Sequence, residues 1–299
     1  MSTETSTGRG SFLADMNGYR VALYATLGLL VAFFLAPIEA GLVTSLKTRA
    51  AVTATAPYAP PLEGFTLANY RRALDVLLVG LFNSVLYAVP ATILSALLGS
   101  MTAYGLTLVD WRYQAPVLLL FVAGIFIPYQ AVLVPLTQVF NILSLNQLVV
   151  WDLLGVSSDY AGIVELVIAH VAYGLPICTI LFRSYYQSMS GEMLESARLD
   201  GATLRRVYRR IVLPLSTPMF AVVLIYQFTQ IWNDLLFALI LVSSSSSPAA
   251  PVTLKLAGLG ASLEGIDFGF RMAGAFVAAL PTLLVYVAFG EEFAEGVAT

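Results

Sequence analysis

Charge is what this 299-residue chain has least of. Charged residues make up 11% of its positions against 59% hydrophobic, and the mean hydropathy is +0.83. An ordinary soluble globule carries about 25% charged residues, so that class is excluded. Lysine is nearly missing: Lys47 and Lys255 are the only two. Neither completes a GxxxxGK phosphate loop, so the chain cannot hydrolyse ATP by that chemistry. Cys178 stands alone, which excludes an internal disulfide; inside an apolar run it reads as a small buried hydrophobe. His170 is also alone, and without a second histidine or cysteine an all-protein zinc site of the common kinds is not expected. It is expected to be a packed or hydrogen-bonded core histidine, and Glu165, about 140° away around a helix, does not pair with it along one face. There is no internal repeat and no separate soluble domain.

What the chain has in abundance is long apolar runs. Six are long enough to cross about 30 Å of hydrocarbon: Val21 to Leu46, Phe82 to Leu106, Ala115 to Leu136, Ala161 to Phe182, Leu215 to Val242 and Met272 to Phe289. They lack the two-residue alternation of barrel strands, and isolated spans in lipid must satisfy their own backbone groups. The expected fold is therefore an all-α integral membrane protein with six transmembrane helices. Pro37, Pro90, Pro128, Pro135, Pro176 and Pro281 are expected to interrupt or kink them. Residues 1–18 form a polar segment before a span domain over 19–299. The first apolar run is longer than a signal-peptide core, so it is expected to persist in the mature protein. With the N-terminus cytoplasmic, nine basic residues fall inside (Arg9, Arg20, Arg112, Arg183, Arg198, Arg205, Arg206, Arg209, Arg210). Six fall outside (Lys47, Arg49, Arg71, Arg72, Lys255, Arg271), a bias of the sign that the positive-inside rule demands. The acidic tail with Glu291, Glu292 and Glu295 is then also inside.

The connections carry further expectations. Thr48 to Asp75 reads as an external loop ending in a short helix around Asn69 to Leu74. Thr137 to Tyr160 reads as a second, whose apolar piece Leu148 to Leu154 is too short to cross and suits an interfacial or partner-facing helix. Ser243 to Ser247, with Pro248 and Pro251 after it, reads as a flexible polar linker. In the fifth run Gln227, Gln230 and Asp234 share a helical face at i, i+3, i+7, bordered by Tyr226 and Asn233. Polar groups in a span face the bundle or a water-filled path, and amides, a carboxylate and aromatic rings suit a polyhydroxylated solute. Hydrogen bonding to a partner helix is the competing reading. Trp232, about 25 Å from Leu215 along a helix, reads as part of the outer aromatic belt, and Glu39 as lying near the outer interface.

Between the fourth and fifth runs, from about residue 190 to 213, lies an arginine-rich island. Ser190 is placed to cap a helix with Glu192 and Glu195 in its opening turns. Asp200-Gly201 supplies a break. Leu204, Val207, Tyr208 and Ile211 then form one apolar face, with Arg205, Arg206, Arg209 and Arg210 opposite, a pattern that by itself suits anionic lipid headgroups. The spacing Glu195, Ser196, Ala197, Asp200, Gly201, Ala202, Ile211, Leu213, Pro214 resembles the EAA loop of permease subunits of ABC importers. Ser45-Leu46-Lys47, Asn69-Tyr70, Asn83-Ser84, Pro128 with Gln130 and Pro135, Arg183 and Trp232-Asn233-Asp234 resemble the maltose-type, carbohydrate uptake branch. Ser196 replaces the second alanine of the motif. The C-terminus departs from the Gly-rich basic tail of that branch, which puts any tail contact with an ATPase in doubt.

The resemblance implies a binding-protein-dependent permease in a prokaryotic cytoplasmic membrane, with both termini inside. Its EAA residues form a coupling element in a groove of an ATPase subunit. It also implies a second permease subunit, two nucleotide-binding subunits that hold ATP and magnesium, and an extracellular solute-binding protein; no cofactor or metal is expected on this chain, and its other contacts are membrane lipid rather than nucleic acid. The expected cargo is a sugar or oligosaccharide moved by alternating access. A polyamine or phosphonate permease is the alternative within the class, and an integral membrane enzyme the alternative outside it.

Overall fold

The computed structural model describes residues 18–298 except Ser243, Leu263 and Glu264. The polar segment before Gly18, and the side chains of Glu291, Glu292 and Glu295, lie outside the described residues. In chain order the helices are α1 Gly18–Ser45, α2 Arg49–Ala54, α3 Ala68–Thr107, α4 Gln114–Ile125, α5 Tyr129–Leu143, α6 Val150–Leu154 and α7 Ala161–Gln187. They continue with α8 Gly191–Leu199, α9 Leu204–Val207, a π-helical turn Tyr208–Val212, α10 Leu213–Leu215, α11 Thr217–Trp232, α12 Leu236–Leu241, α13 Val252–Gly258 and α14 Phe268–Ala298. A two-residue hairpin, β1 Ala261–Ser262 with β2 Gly265–Ile266, is the sheet seen among the described residues. The fold is an all-α membrane protein, with four helices long and apolar enough to cross and six if each of two bent pairs counts as a span.

The bends correct the expected spans. Ala115 to Leu136 is not one helix: α4 and α5 meet at 104° across Phe126, Ile127 and Pro128. Pro128 lacks an N–H and pushes Ile127 out of helical geometry, so α4 ends and α5 restarts with Pro128 at ψ 145° as its cap. Leu215 to Val242 is likewise two helices, because α11 stops at Trp232 and α12 begins at Leu236. The short helix expected at Asn69 to Leu74 is the first turn of the 40-residue α3, which carries Pro90 without a break. Most of the other prolines also sit inside helices. Within the first external loop the chain forms α2, and the buried Lys47 ammonium donates to the Ala56 carbonyl at 2.7 Å.

Two cores lie toward opposite ends of the molecule. One gathers Leu77, Tyr87, Leu166, Trp232, Phe237 and Phe270. The other gathers Phe182, Tyr186, Leu194, Val207, Val212 and Met219. α3 and α7 run through both as the most extensive helix pair. On α3, Ala88, Thr92, Ala96 and Ser100, and beside them Ala91, Ser95, Gly99 and Ala103, are buried at four-residue intervals. These rows of small residues let two backbones approach closely without a hydrophobic drive between helices.

In the expected linker Ser244, Ser245 and Ser246 are exposed and Ser243 lies outside the described residues, whereas the segment that follows, from Pro248 to Val252, is pinned. Asn83 donates to the Pro248 and Ala250 carbonyls at 2.7 and 3.0 Å, Ser84 accepts from Val252 N at 2.9 Å, and Ala249 and Ala250 are fully buried. Two polar side chains on α3 thus satisfy backbone groups that would otherwise be stranded. Asn69 does the same for the end of α1, donating to Ser45 O and Lys47 O at 3.0 and 2.9 Å. α1 itself exposes nearly all its apolar surface, and among the described residues it packs against the chain near its C-terminal end, where Gly41 meets Met272 and Phe276.

Candidate functional site

The arginine-rich island folds as a helix, a turn and a second helix. Ser190 caps α8, accepting from Met193 N at 3.4 Å. At the far end Ala202 N donates to Ala197 O and Gly201 N to Arg198 O, both at 3.0 Å, the paired bonds of a Schellman C-cap. Gly201 sits at φ +79°, the left-handed geometry that this cap needs. Ala197 and Ala202 are the two residues whose contact accompanies such a cap, and both pack on the second core. Thr203 then caps α9 through Arg206 N. The spacing of Ala197, Gly201 and Ala202 therefore has a local cause: it is the sequence of a tight helix stop followed at once by a helix start.

The island is seated on the ends of α3 and α7. Tyr104 donates to Leu204 O at 3.0 Å, and Ser100 lies 2.6 Å from the Tyr186 hydroxyl and 2.9 Å from that of Tyr208. Arg198 reaches the Leu108 carbonyl. The apolar face is buried at Val207 and partly buried at Tyr208 and Ile211; Leu204, expected on it, is exposed because the turn at residues 201–203 starts the helix outside the core. Glu195, Ser196, Asp200, Gly201 and Pro214 face outward, and Leu213 is half-buried. Leu199, 82% exposed at the end of α8, presents a bare apolar side chain among them. Sequence reasoning passed over it, although its place between Glu195 and Gly201 marks it.

The polar face expected on the fifth span splits. Gln227 is buried, its amide filling the space that any side chain at Gly174 of α7 would need, with the Cys178 thiol 3.8 Å away. Asp234 is also turned inward. Its carboxylate accepts from Leu236 N and Phe237 N at 3.3 and 3.0 Å, capping α12, and lies 3.5 Å from His170 Nε2. The other imidazole nitrogen meets Leu166 O at 2.8 Å. His170 is thus a buried, bonded histidine as expected, and its partner is Asp234. Trp232 does not belong to a belt: it is 1% exposed, stacks on Phe228 and donates to Ala278 O at 2.9 Å. An apolar ring with one N–H found its acceptor within the bundle.

What remains outward is Tyr226, Gln230 and Asn233. Gln230 donates to the Tyr226 hydroxyl at 3.2 Å, and Asn233 to Thr229 O at 2.9 Å. Two half-exposed rings that the sequence did not mark continue this wall. Tyr129 begins α5, with its ring 4.0 Å from that of Tyr173 and tilted 45° to it; the Tyr173 hydroxyl donates to Ile127 O at the α4–α5 break, and Phe237 lies 4.9 Å from Tyr129. The breaks of the third and fifth spans therefore meet through aromatic contacts. Rings of Tyr87 and Phe237 close over His170, 5.5 and 5.1 Å away. The His170–Asp234 pair is sealed from any substrate, and among the described residues no group of acidic, histidine or cysteine side chains could hold a metal ion.

A family model described as binding-protein-dependent transport system inner membrane component matches residues 64–290. The chain is 52% identical over its whole length to a xylose/arabinose import permease protein of Haloferax volcanii, covering 99% of that protein. It is 33% identical to an alpha-glucoside transport system permease protein of Rhizobium meliloti, over 82% of this chain and 60% of that one. Among solved structures, a chain from a bacterial ABC transporter that imports the acidic polysaccharide alginate superposes with a TM-score of 0.71 at 18% identity, covering 97% of this chain and 100% of that one, a likeness of fold. The match over residues 64–290 takes in both the arginine-rich island and the polar wall, and the chain belongs to the family of binding-protein-dependent inner membrane components: it is a permease subunit of an ABC importer, a transport component and not an enzyme.

Proposed function

We propose that this permease conducts a sugar, with an aldopentose such as xylose or arabinose as the first candidate cargo. The observation that carries the reading is the 52% identity across the full chain to a permease named for those two sugars. The wall of Tyr129, Tyr173, Tyr226, Gln230 and Asn233 supports it chemically, since rings stack on the apolar faces of a sugar and amides match its hydroxyls. Gln227 and Asp234 hold that wall in place from behind. The chain pairs with a second permease subunit, two ATPase subunits carrying ATP and magnesium, and an external solute-binding protein. Both termini and the 190–213 loop face the cytoplasm. Glu195, Ser196, Leu199, Asp200 and Gly201 contact the ATPase, while Ala197, Ala202, Ile211, Leu213 and Pro214 hold the loop's shape. Closure of the ATPase dimer moves the loop, and the spans rock to open outward.

The test is transport by the reconstituted importer, assembled from this chain and the subunits that copurify with it. ATP-driven uptake of labelled xylose or arabinose, unaffected by excess spermidine or aminoethylphosphonate, is the expected result. An importer that accumulates a polyamine or a phosphonate and ignores sugars would overturn the reading.

A further inference from the structure

The segment Leu204–Leu215 meets α11 at 75°. With α11 crossing the membrane, a segment at that angle runs along its surface. One side of the segment is fixed to the protein, with Val207 and Val212 buried and Tyr208 bonded to Ser100. The other side carries Arg205, Arg206, Arg209 and Arg210, all exposed, which with Thr203 line a cleft of about 470 Å³. Arg209 and Arg210 follow Arg205 and Arg206 four residues on, about one helical turn, across the start of the π-helical turn Tyr208–Val212. Among the described residues, the ion pairs are Arg72–Asp267 and His170–Asp234, and none of these four arginines is in one. Glu192 and Glu195 on the neighbouring helix are exposed and leave them unneutralised.

Four unpaired guanidinium groups gathered in one cleft repel one another unless an anion joins them. Their position decides which anion. Leu213, Pro214 and Leu215 follow directly, with Pro214 and Leu215 exposed, so the cleft stands where a charged surface gives way to an apolar one. Phosphate groups of lipids lie at that depth, and a planar guanidinium matches their oxygens with two parallel hydrogen bonds. We propose that this cleft binds the phosphate of an anionic phospholipid headgroup, making that lipid a ligand of the docking loop. The membrane orientation proposed above decides only which leaflet supplies the lipid, and the binding is independent of the cargo.

Titration of the purified full-length chain in neutral detergent with phosphatidylglycerol or phosphatidylcholine, read as lipid retained by native mass spectrometry, tests this in the absence of any leaflet. The wild-type chain is expected to retain phosphatidylglycerol preferentially, and each arginine removed from the cleft to weaken retention about fivefold. R209Q/R210Q should therefore lose about 25-fold, whereas R209K/R210K, with charge kept, should lose much less. Inorganic phosphate at equal concentration should leave the lipid bound. Equal retention of both lipids by the wild-type chain overturns the proposal, as does unaltered phosphatidylglycerol binding by R209Q/R210Q with the same melting temperature. Full displacement by inorganic phosphate assigns the cleft to the free anion and overturns it too. So does a variant that keeps its lipid but loses copurifying ATPase subunits, which would make the cleft a protein contact. Should R209Q/R210Q fail to fold, wild-type retention that does not fall as salt is raised would overturn it by itself.

Discussion

Gly201 matters through its backbone, since nothing lies within 4 Å of where its Cβ would be. A bulky side chain there meets open space, but a φ of +79° costs an L-residue roughly 1–2 kcal/mol. Asparagine tolerates this geometry and valine does not. Gly201→Val should therefore abolish stimulation of ATP hydrolysis by loaded binding protein while the chain still inserts, and Gly201→Asn should keep most of it; two variants equally active would show that the cap geometry is irrelevant to coupling. The two glutamines of α11 separate in the same way. Gln227→Leu should lower stability by about 1–3 kcal/mol, read as a lower melting temperature, because a branched chain must fit against Gly174. Gln230→Leu should leave melting unchanged and raise the KM for sugar uptake; identical kinetics would remove Gln230 from the pathway. Sequence spacing put Gln227, Gln230 and Asp234 on one face because it gives only azimuth about a single helix. It could not show that Gly174, on another helix, leaves a recess into which Gln227 turns.

The two breaks are where elements, as distinct from residues, shape the aromatic wall. Asp234 stabilises the second: it caps α12, its backbone carbonyl accepts from the Thr253 hydroxyl at 2.8 Å, and it faces His170. Asp234→Ala should cost about 1 kcal/mol for the lost cap and more for the buried imidazole left without its partner. Asp234→Asn keeps a capping oxygen and should fall between, a ranking that thermal melts of the purified chain would check; an alanine variant as stable as the wild type would mean that the break is held by packing alone. Neither break was legible in hydropathy, since Phe126, Ile127 and Pro128, and Leu235 after Asn233 and Asp234, sit inside runs whose average stays apolar. Pro128 was visible as a possible interruption, yet it carried no more weight than Pro90 or Pro176, which their helices absorb. What separates them is tertiary: Tyr173 takes up the Ile127 carbonyl that the broken helix frees. The 190–213 loop was far more legible, because its cap, stop and restart are local and written in Ser190, Gly201 and Thr203.

At the scale of the whole molecule, the shared α3–α7 pair links the 190–213 loop to the opposite end. The loop sits on the second core through Tyr104, Ser100, Tyr186 and Tyr208, and the same two helices reach Asn83 and His170 in the first. Under the proposed coupling, a push on α8 would be delivered to close-packed helices rather than to a flexible connection, and the pinned 248–252 segment, joined to α3 at Asn83 and Ser84, would belong to the end that responds. That arrangement transmits force between the two faces of the membrane only if the loop and the pinned segment lie on opposite sides of it. On the proposed topology the loop lies inside, as the arginine distribution favours. Cysteine reporters test this directly after Cys178, buried in the α3–α7 interface, is replaced by alanine. Ser245 is exposed and suits the outer reporter. Thr203 would be a poor inner one, because its hydroxyl caps α9; Glu192, exposed in the first turn of α8, can be replaced without removing a cap. A membrane-impermeant maleimide added to sealed cells should label Ser245→Cys and spare Glu192→Cys, with the reverse pattern in inside-out vesicles. Labelling of both positions from one side would put the loop and the pinned segment on the same face, and the α3–α7 pair could not then carry motion from the ATPase to the outer end.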